Sequence, residues 1–343
     1  MRIDKLTAEH RQAYDELLLA RDDTLLYQSS RYLSLLEELL GCRQATLLAR
    51  DDGGRLLAAL PLMEADGPLG VVVNSLPFYG SNGGLIGADP AARQALVDAY
   101  NARVAQDDVA TATVVESPLD TDRVTGWRHE LNDERIGQFT PIDFVENHGD
   151  ALMASFHYKT RNAIRKAWKS GAVVAVENDA MDFLAEVHEL NMREIGGVPK
   201  SRRFFNLIPS HFRPDLDYRI YVTRLNGEAV AAVLVFYFNR VVEYFTPVVR
   251  KEYRESQALS AAIFQAMDDA SRAGFRWWNW GGTWLSQDGV YRFKSRWGTK
   301  DFSYRYFTTV RNREVMQAQP RELLAGYTSF YTVPFKALSS GGD

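Results

Sequence analysis

The sequence predicts a mixed α+β protein built as two domains in tandem. Three observations carry this. At 343 residues the chain is too long for one ordinary hydrophobic core. Stretches with helical and with strand periodicity are interleaved along its whole length. The order of elements also repeats. Each half reads as N-terminal helices, an antiparallel meander, a helix and a strand. The division falls near His148-Gly149, giving domains over 1–148 and 149–310, with 311–343 as a tail that packs back on the body.

In the first half, Thr7 is a candidate N-cap for a helix over 8–20. Ser29 or Ser30 caps a second over 31–40, which Gly41 ends. Strand-like runs follow over 45–50, 56–63 and 70–74. The loop SLPFYGSNGG, a helix over 90–105, a strand over 110–116 and a strand-like QFTPIDF complete the half. In the second half a helix begins near Asp150, a strand covers 172–176 and a helix 179–195. Three strands, 218–224, 229–238 and 241–248, are joined by an Asn226-Gly227 hairpin and a weaker Asn239-Arg240 turn. A helix over 259–273, a short strand over 276–280, an aromatic loop and a strand over 302–310 close the domain.

The bulk composition excludes several classes. Net charge is −4, so nothing global favours nucleic acid, and any such contact must be local. A single cysteine, Cys42, forbids an internal disulfide and a cysteine-based zinc site. Six scattered histidines show no metal spacing. No apolar run approaches the length of a bilayer span, and the start MRIDKLTAEH is not a signal peptide. The default compartment is the cytoplasm, with peripheral contact at the inner face of the membrane left open.

The segment WWNWGGTWLSQDGVYRFKSRWG (277–298) holds five of the seven tryptophans around one lysine, Lys294. Aromatic walls exclude water, and a cation in a dry pocket stabilises negative charge better than one in water. The plainer reading is an aromatic core with Lys294 snorkelling to solvent. Trp277 and Trp278 are adjacent on a strand, so they face opposite sides and at least one is core. The Gly281-Gly282 pair reads as a turn or as a place where backbone approaches a ligand.

A second local feature is a helix without acids. No Asp or Glu occurs over 151–176, yet KTRNAIRKAWK carries Lys159, Arg161, Arg165, Lys166 and Lys169. Like charges at helical spacing repel, and a polyanionic ligand removes that cost. Ile164, Ala167 and Trp168 read as the buried stripe of this helix.

These segments resemble the FemAB-like family, the aminoacyl-tRNA-dependent peptidoglycan-bridge transferases and their acyltransferase relatives. FHYKTRNAIRKAWKSGAVV is similar to the helix and strand opening the family's second domain. AIFQAMDDASRAGFRWWNWGGT and GVYRFKSRWGTKDFSYRYF resemble its helix, strand, Gly-Gly and "FK" segments. ALPLMEADGPLGVVVNSLPFYGSNGGL is similar to its first domain. The resemblance implies two GNAT-like domains, each a mostly antiparallel mixed sheet flanked by helices, with a cleft between them. It implies transfer of an acyl or aminoacyl group to an amine, from acyl-CoA or aminoacyl-tRNA, with no tightly bound cofactor. Lys294 matches the lysine held to sit near the reacting ester, and Lys159, Arg161 and Arg165 match the basic helix.

Trp278, Asn279, Trp280, Trp284, Tyr291 and Phe293 are then candidate pocket residues, with Tyr79 and Gly83, beside Gly84, from the first domain. Asp288, Glu243 and His157 are candidate bases by position alone. Two departures matter. Asn279 stands where many relatives have Asp. RESQAL replaces the glycine-bearing phosphate loop of CoA-binding relatives, with Gln257 and Leu259 where small residues belong. The acceptor is expected to be an amine of a cell-envelope precursor (peptidoglycan or an amino sugar, small or lipid-linked) or a related compound, with oligomeric state open. The rival readings are a non-catalytic protein that binds an anionic glycan or nucleic acid in its basic groove, and a peripheral membrane protein contacting lipid through LLAGYTSFYTVPFKAL.

Overall fold

A computed structural model describes residues 1–78, 83–284 and 286–338. The chain forms two compact units, Met1–Ile136 with Ser303–Asp343, and Gly137–Phe302. Two strands run from one unit into the other, one in each direction.

The first unit contains β1 (Arg2–Lys5), α1 (Arg11–Leu19), α2 (Ser30–Leu40), β2 (Arg43–Gln44), β3 (Leu47–Arg50), β4 (Leu56–Leu60), β5 (Met63–Ala65), β6 (Val71–Asn74), α3 (Pro90–Val104), β7 (Val109–Val115) and the start of β8 (Leu131–Pro141). The caps behave as their chemistry dictates. Ser29 accepts the Tyr32 N–H, and Gly41 closes α2 with φ 64°. Asp89 caps α3 by accepting the Ala92 N–H, with Pro90 in the first turn. The expected strand over 56–63 is two strands, because the chain turns between Leu60 and Met63 and the second piece joins a different sheet. The core packs Leu60, Val73, Leu96, Tyr100, Val114 and Trp127 together.

The tail closes this unit. A short helix covers Pro320–Gly326. Val315, Leu323 and Val333 pack on Ala110 and Val310. The Tyr327 hydroxyl accepts the Leu69 N–H at 3.1 Å and donates to the Gly70 carbonyl at 2.8 Å.

The second unit contains the end of β8, then α4 (His148–Ser155), α5 (Tyr158–Lys169), β9 (Val173–Val176), α6 (Met181–Glu194), α7 (Arg202–His211), β10 (Tyr218–Leu225), β11 (Glu228–Phe238), β12 (Val241–Val249), α8 (Ala258–Arg272), β13 (Trp277–Trp284) and α9 (Asp288–Ser295), before β14 (Lys300–Val310) begins. Its sheet runs β8-β13-β12-β11-β10-β9. The meander β10-β11-β12 is antiparallel, while β12 and β13 are parallel. That parallel pairing covers only Val241–Trp277 to Glu243–Asn279, after which each strand continues without pairing to the other. Helix α8 buries Ala262, Ile263, Ala266, Met267 and Ala270 against one face of this sheet.

Three expectations change here. The stretch after Trp280 is not a loop. Strand β13 continues to Trp284 and the segment from Asp288 is helical. Gly281-Gly282 is therefore not a tight turn; it lies inside the strand, with Gly281 at φ 75° kinking it. Trp168 is not in the buried stripe of α5. It is 46% exposed, and Thr160 joins Ile164 and Ala167 there instead. Helix α7 had no expectation, because its interior Pro209 and flanking arginines hide the apolar period of Phe204, Phe205 and Ile208. Among the described residues, no helix is long and apolar enough to cross a membrane.

Candidate active site

Lys294 lies on α9 and its side chain turns inward. It is 7% exposed, so the snorkelling reading fails. Its Nζ donates to the Gly281 carbonyl at 3.2 Å, the Gly282 carbonyl at 3.1 Å and Thr283 Oγ1 at 2.9 Å. Among the described residues no carboxylate lies within ion-pair distance of it. Burial lowers its pKa to about 8. The ammonium is thus held by dipoles alone, and it remains mostly charged at neutral pH.

The strand that supplies those carbonyls is anchored on both sides. Asn279, fully buried, accepts the Gly281 N–H at 2.8 Å and donates to the Glu243 carboxylate at 2.7 Å. This ties β13 to β12 at the last register pair before they separate. The kink at Gly281 breaks the alternation of the strand and turns two consecutive carbonyls towards Lys294. Thr283 in turn donates to Gln138 Oε1 at 3.1 Å. Trp280 Nε1 donates to Thr140 Oγ1, which donates to the Trp297 carbonyl, both at 2.9 Å.

Trp278 and Trp280 are buried and lean on Tyr244, at 6.0 and 4.8 Å between ring centroids. Trp297 and Phe293 cover Trp280, at 5.4 and 6.0 Å. Trp278 and Trp280 are thus core residues on one side of β13, while Asn279 on the other side joins the strand to Glu243. Phe293 is on the exposed side of α9, and Trp284 is half-buried at the end of β13. Tyr291 is half-buried and donates its hydroxyl to Asp301 at 2.7 Å.

The three candidate bases separate. Glu243 is buried beneath Asn279. Asp288 is exposed and sits 3.5 Å from Arg292. His157 caps α5, its Nδ1 accepting the Lys159 N–H at 3.2 Å. In the first unit, Gly83 presses on Ser75, where an added Cβ would come within 2.8 Å of the Ser75 carbonyl oxygen. Gly84 has φ 90°. Tyr79 lies outside the described residues.

Helix α5 begins beside α9. The Arg296 carbonyl accepts the His157 N–H at 2.9 Å and the Thr160 hydroxyl at 3.1 Å. Arg161 donates to the Phe156 carbonyl at 2.6 Å. Lys159, Arg165, Lys166 and Lys169 are exposed, and among the described residues none of the five cations has an acidic partner.

The loop opening α8 is occupied by its own chain. Gln257 takes φ 62°, a value glycine adopts more readily. Ser256 Oγ accepts the Ala258 N–H, and the Gln257 carbonyl accepts the Ser260 N–H. The two basic side chains there, Lys251 and Arg254, both pair with Glu194.

Residues 154–295 match the family model described as Acetyltransferase (GNAT) domain. The matched residues lie within the second unit. The short parallel pairing of β12 and β13, which α8 connects, lies within the matched residues. No curated protein matches the chain by sequence. Among solved structures, FemX is similar at TM-score 0.71 and 15% identity, over 92% of this chain and 98% of FemX. The C-terminal domain of a putative lysylphosphatidylglycerol synthetase from Agrobacterium fabrum gives 0.57 at 12% identity, over 95% and 99%. A tandem GNAT protein from the clavulanic acid biosynthesis pathway gives 0.51 at 15%, over 90% and 98%. At such identities these matches establish a shared fold, that of FemX and the tandem GNAT proteins.

The sequence singled out Lys294 but not Thr283, which bonds it, nor Gln138 and Thr140, which bond its strand. The signal was present: Gln138 and Thr140 alternate with apolar residues on a strand, so two polar side chains had to point to one face and find partners.

Proposed function

We propose that the chain transfers an acyl or aminoacyl group from an activated ester to an amine, and that Lys294 stabilises the negative charge developing on the reacting ester. The observation that carries this is the buried ammonium with no carboxylate partner. A structural lysine in a dry site would ordinarily be paired or neutral. This one is set among carbonyl dipoles that keep it charged yet leave its charge uncompensated. An incoming oxyanion replaces the longest of its three hydrogen bonds, that to Gly281, and gains a full charge interaction in a water-poor site.

The donor is proposed to be an aminoacyl ester carried on RNA. The loop before α8 supports this. A pyrophosphate there would need free backbone N–H groups and free cations; Ser256 and Glu194 already engage them. Lys159, Arg161 and Arg165, on the helix that starts beside α9, are proposed to meet the phosphates of the donor instead. Acyl-CoA is the second reading, favoured by the match to a GNAT acetyltransferase domain. The acceptor is proposed to be an amine of a cell-envelope precursor or a related amino compound. The indole and phenyl edges of Trp284 and Phe293, with Tyr291, are proposed to border it. The purely binding reading gains no support from a fold shared with transferases.

The test is transfer of labelled acyl groups to an amine acceptor. The wild-type chain should work from charged tRNA and not from acyl-CoA. Lys294→Met should lower the rate about a hundredfold or more, the usual scale of losing one oxyanion donor. A variant that transfers at the wild-type rate would refute the assignment.

A further inference from the structure

The C-terminal turns of α5 carry cations beyond those proposed to meet the donor. Asn162, Arg165, Lys166, Lys169 and Ser170 line an open groove of about 390 Å³. Three cations within two helical turns, without acidic partners among the described residues, make this a strongly positive surface on a chain of net charge −4. Apolar side chains lie exposed along the same acid-free stretch: Tyr158 at 54%, Trp168 at 46%, Val173 at 66% and Val176 at 39%. Val173 and Val176 belong to β9, the last strand of the sheet, and point to opposite sides of it; Val176 shares its side with Val174, which packs on the core that holds Ile164 of α5.

The geometry points to docking of this face on a bilayer bearing anionic phospholipid headgroups. A phosphodiester surface explains the cations but leaves the exposed Val176 without a role. A bilayer interface takes both, since basic side chains meet the headgroups while Trp and aliphatic groups enter the acyl boundary. Trp168 packs against Phe264 in a T-shaped pair, with centroids 5.4 Å apart at 77°, and stays exposed beside the cations. Helix α5 packs on α8, which holds the patch rigidly on the domain surface.

This inference shares only Arg165 with the proposed donor contact, and Lys294→Met should dock as wild type does. The experiment is sedimentation of the full chain with vesicles of equal parts phosphatidylglycerol and phosphatidylcholine, in about 0.1 M salt. Wild type should co-sediment, be released by high salt, and ignore pure phosphatidylcholine. The triple variant Arg165→Gln, Lys166→Gln, Lys169→Gln should bind roughly a hundredfold more weakly, given the usual contribution of each basic residue near an anionic surface. Trp168→Ser should weaken binding several-fold at unchanged salt dependence. All these side chains are exposed, and circular dichroism checks that each variant keeps its fold. Failure of the wild type to bind the anionic vesicles, or a triple variant that binds equally well, overturns the proposal. So does a 20-base-pair RNA duplex that takes the vesicles' place, bound by wild type and lost in the triple variant while vesicles are ignored.

Discussion

Lys294 is a cation that the fold tolerates at a cost. Burial lowers its pKa from 10.5 to about 8, so the folded state favours the neutral amine relative to the unfolded chain. Below pH 8 both states bind the proton. Between 8 and 10.5 only the unfolded state does, so this residue's contribution to stability rises with pH across that window. Measured against Lys294→Met, the wild type should therefore gain about 2 kcal/mol between pH 7 and pH 10. Urea melts of both proteins at the two pH values check it, and an unchanged difference would mean that the lysine is not desolvated. The lysine was legible in the sequence because aromatic residues cluster around it. Its partners were not. Two are backbone carbonyls of Gly281 and Gly282, which no side-chain pattern reports, and their direction depends on a positive φ at Gly281.

At the scale of elements, β12 and β13 are joined at their last paired position by Glu243 and Asn279. Asn279 donates to the carboxylate and accepts from Gly281, so an amide is required there. Asn279→Asp would set two carboxylates side by side in a buried place, and one must take up a proton. The variant should be less stable than wild type by at least about 2 kcal/mol at pH 8 and recover part of that at pH 5. Thermal melts across that range decide it; equal losses at both pH values would contradict the pairing. A second link, Trp280 Nε1 to Thr140, is buried as well. Thr140→Val leaves the indole N–H without its acceptor and should cost about 1–3 kcal/mol in a urea melt. The strands and the long helices of this unit were legible from period and caps. Helix α9 was not, since Asp288-Gly289 signals a turn and its few apolar residues, Val290, Tyr291 and Phe293, continue the aromatic run of the strand before it.

For the whole molecule, the end of the chain belongs to the first unit. Residues from Ser303 return to it, β14 pairs with β7, and Tyr327 fills the space above Gly67 and bonds Leu69 and Gly70. An added Cβ at Gly67 would stand 2.1 Å from the Tyr327 ring. Tyr327→Ala should therefore cost about 3–5 kcal/mol, the range for emptying a buried aromatic site. The loss should appear in hydrogen exchange of β6 and β7 and leave α8 and β11 unchanged. Exchange that rises evenly in both units would show that they do not unfold separately. The sequence reading took 311–343 as a tail because it carries few strand or helix signals. What attaches it is contact with residues some 250 positions earlier, which periodicity cannot reveal.

The role of Lys294 is tested most sharply by the single-turnover transfer rate of wild type divided by that of Lys294→Met, followed across pH. Taking the ratio removes the titration of the acceptor amine, which both proteins share. If the ammonium stabilises the reacting ester, the ratio is about a hundred or more at pH 7 and falls once pH rises past about 8. A ratio near one at pH 7, or a large ratio that stays constant to pH 10, would contradict it.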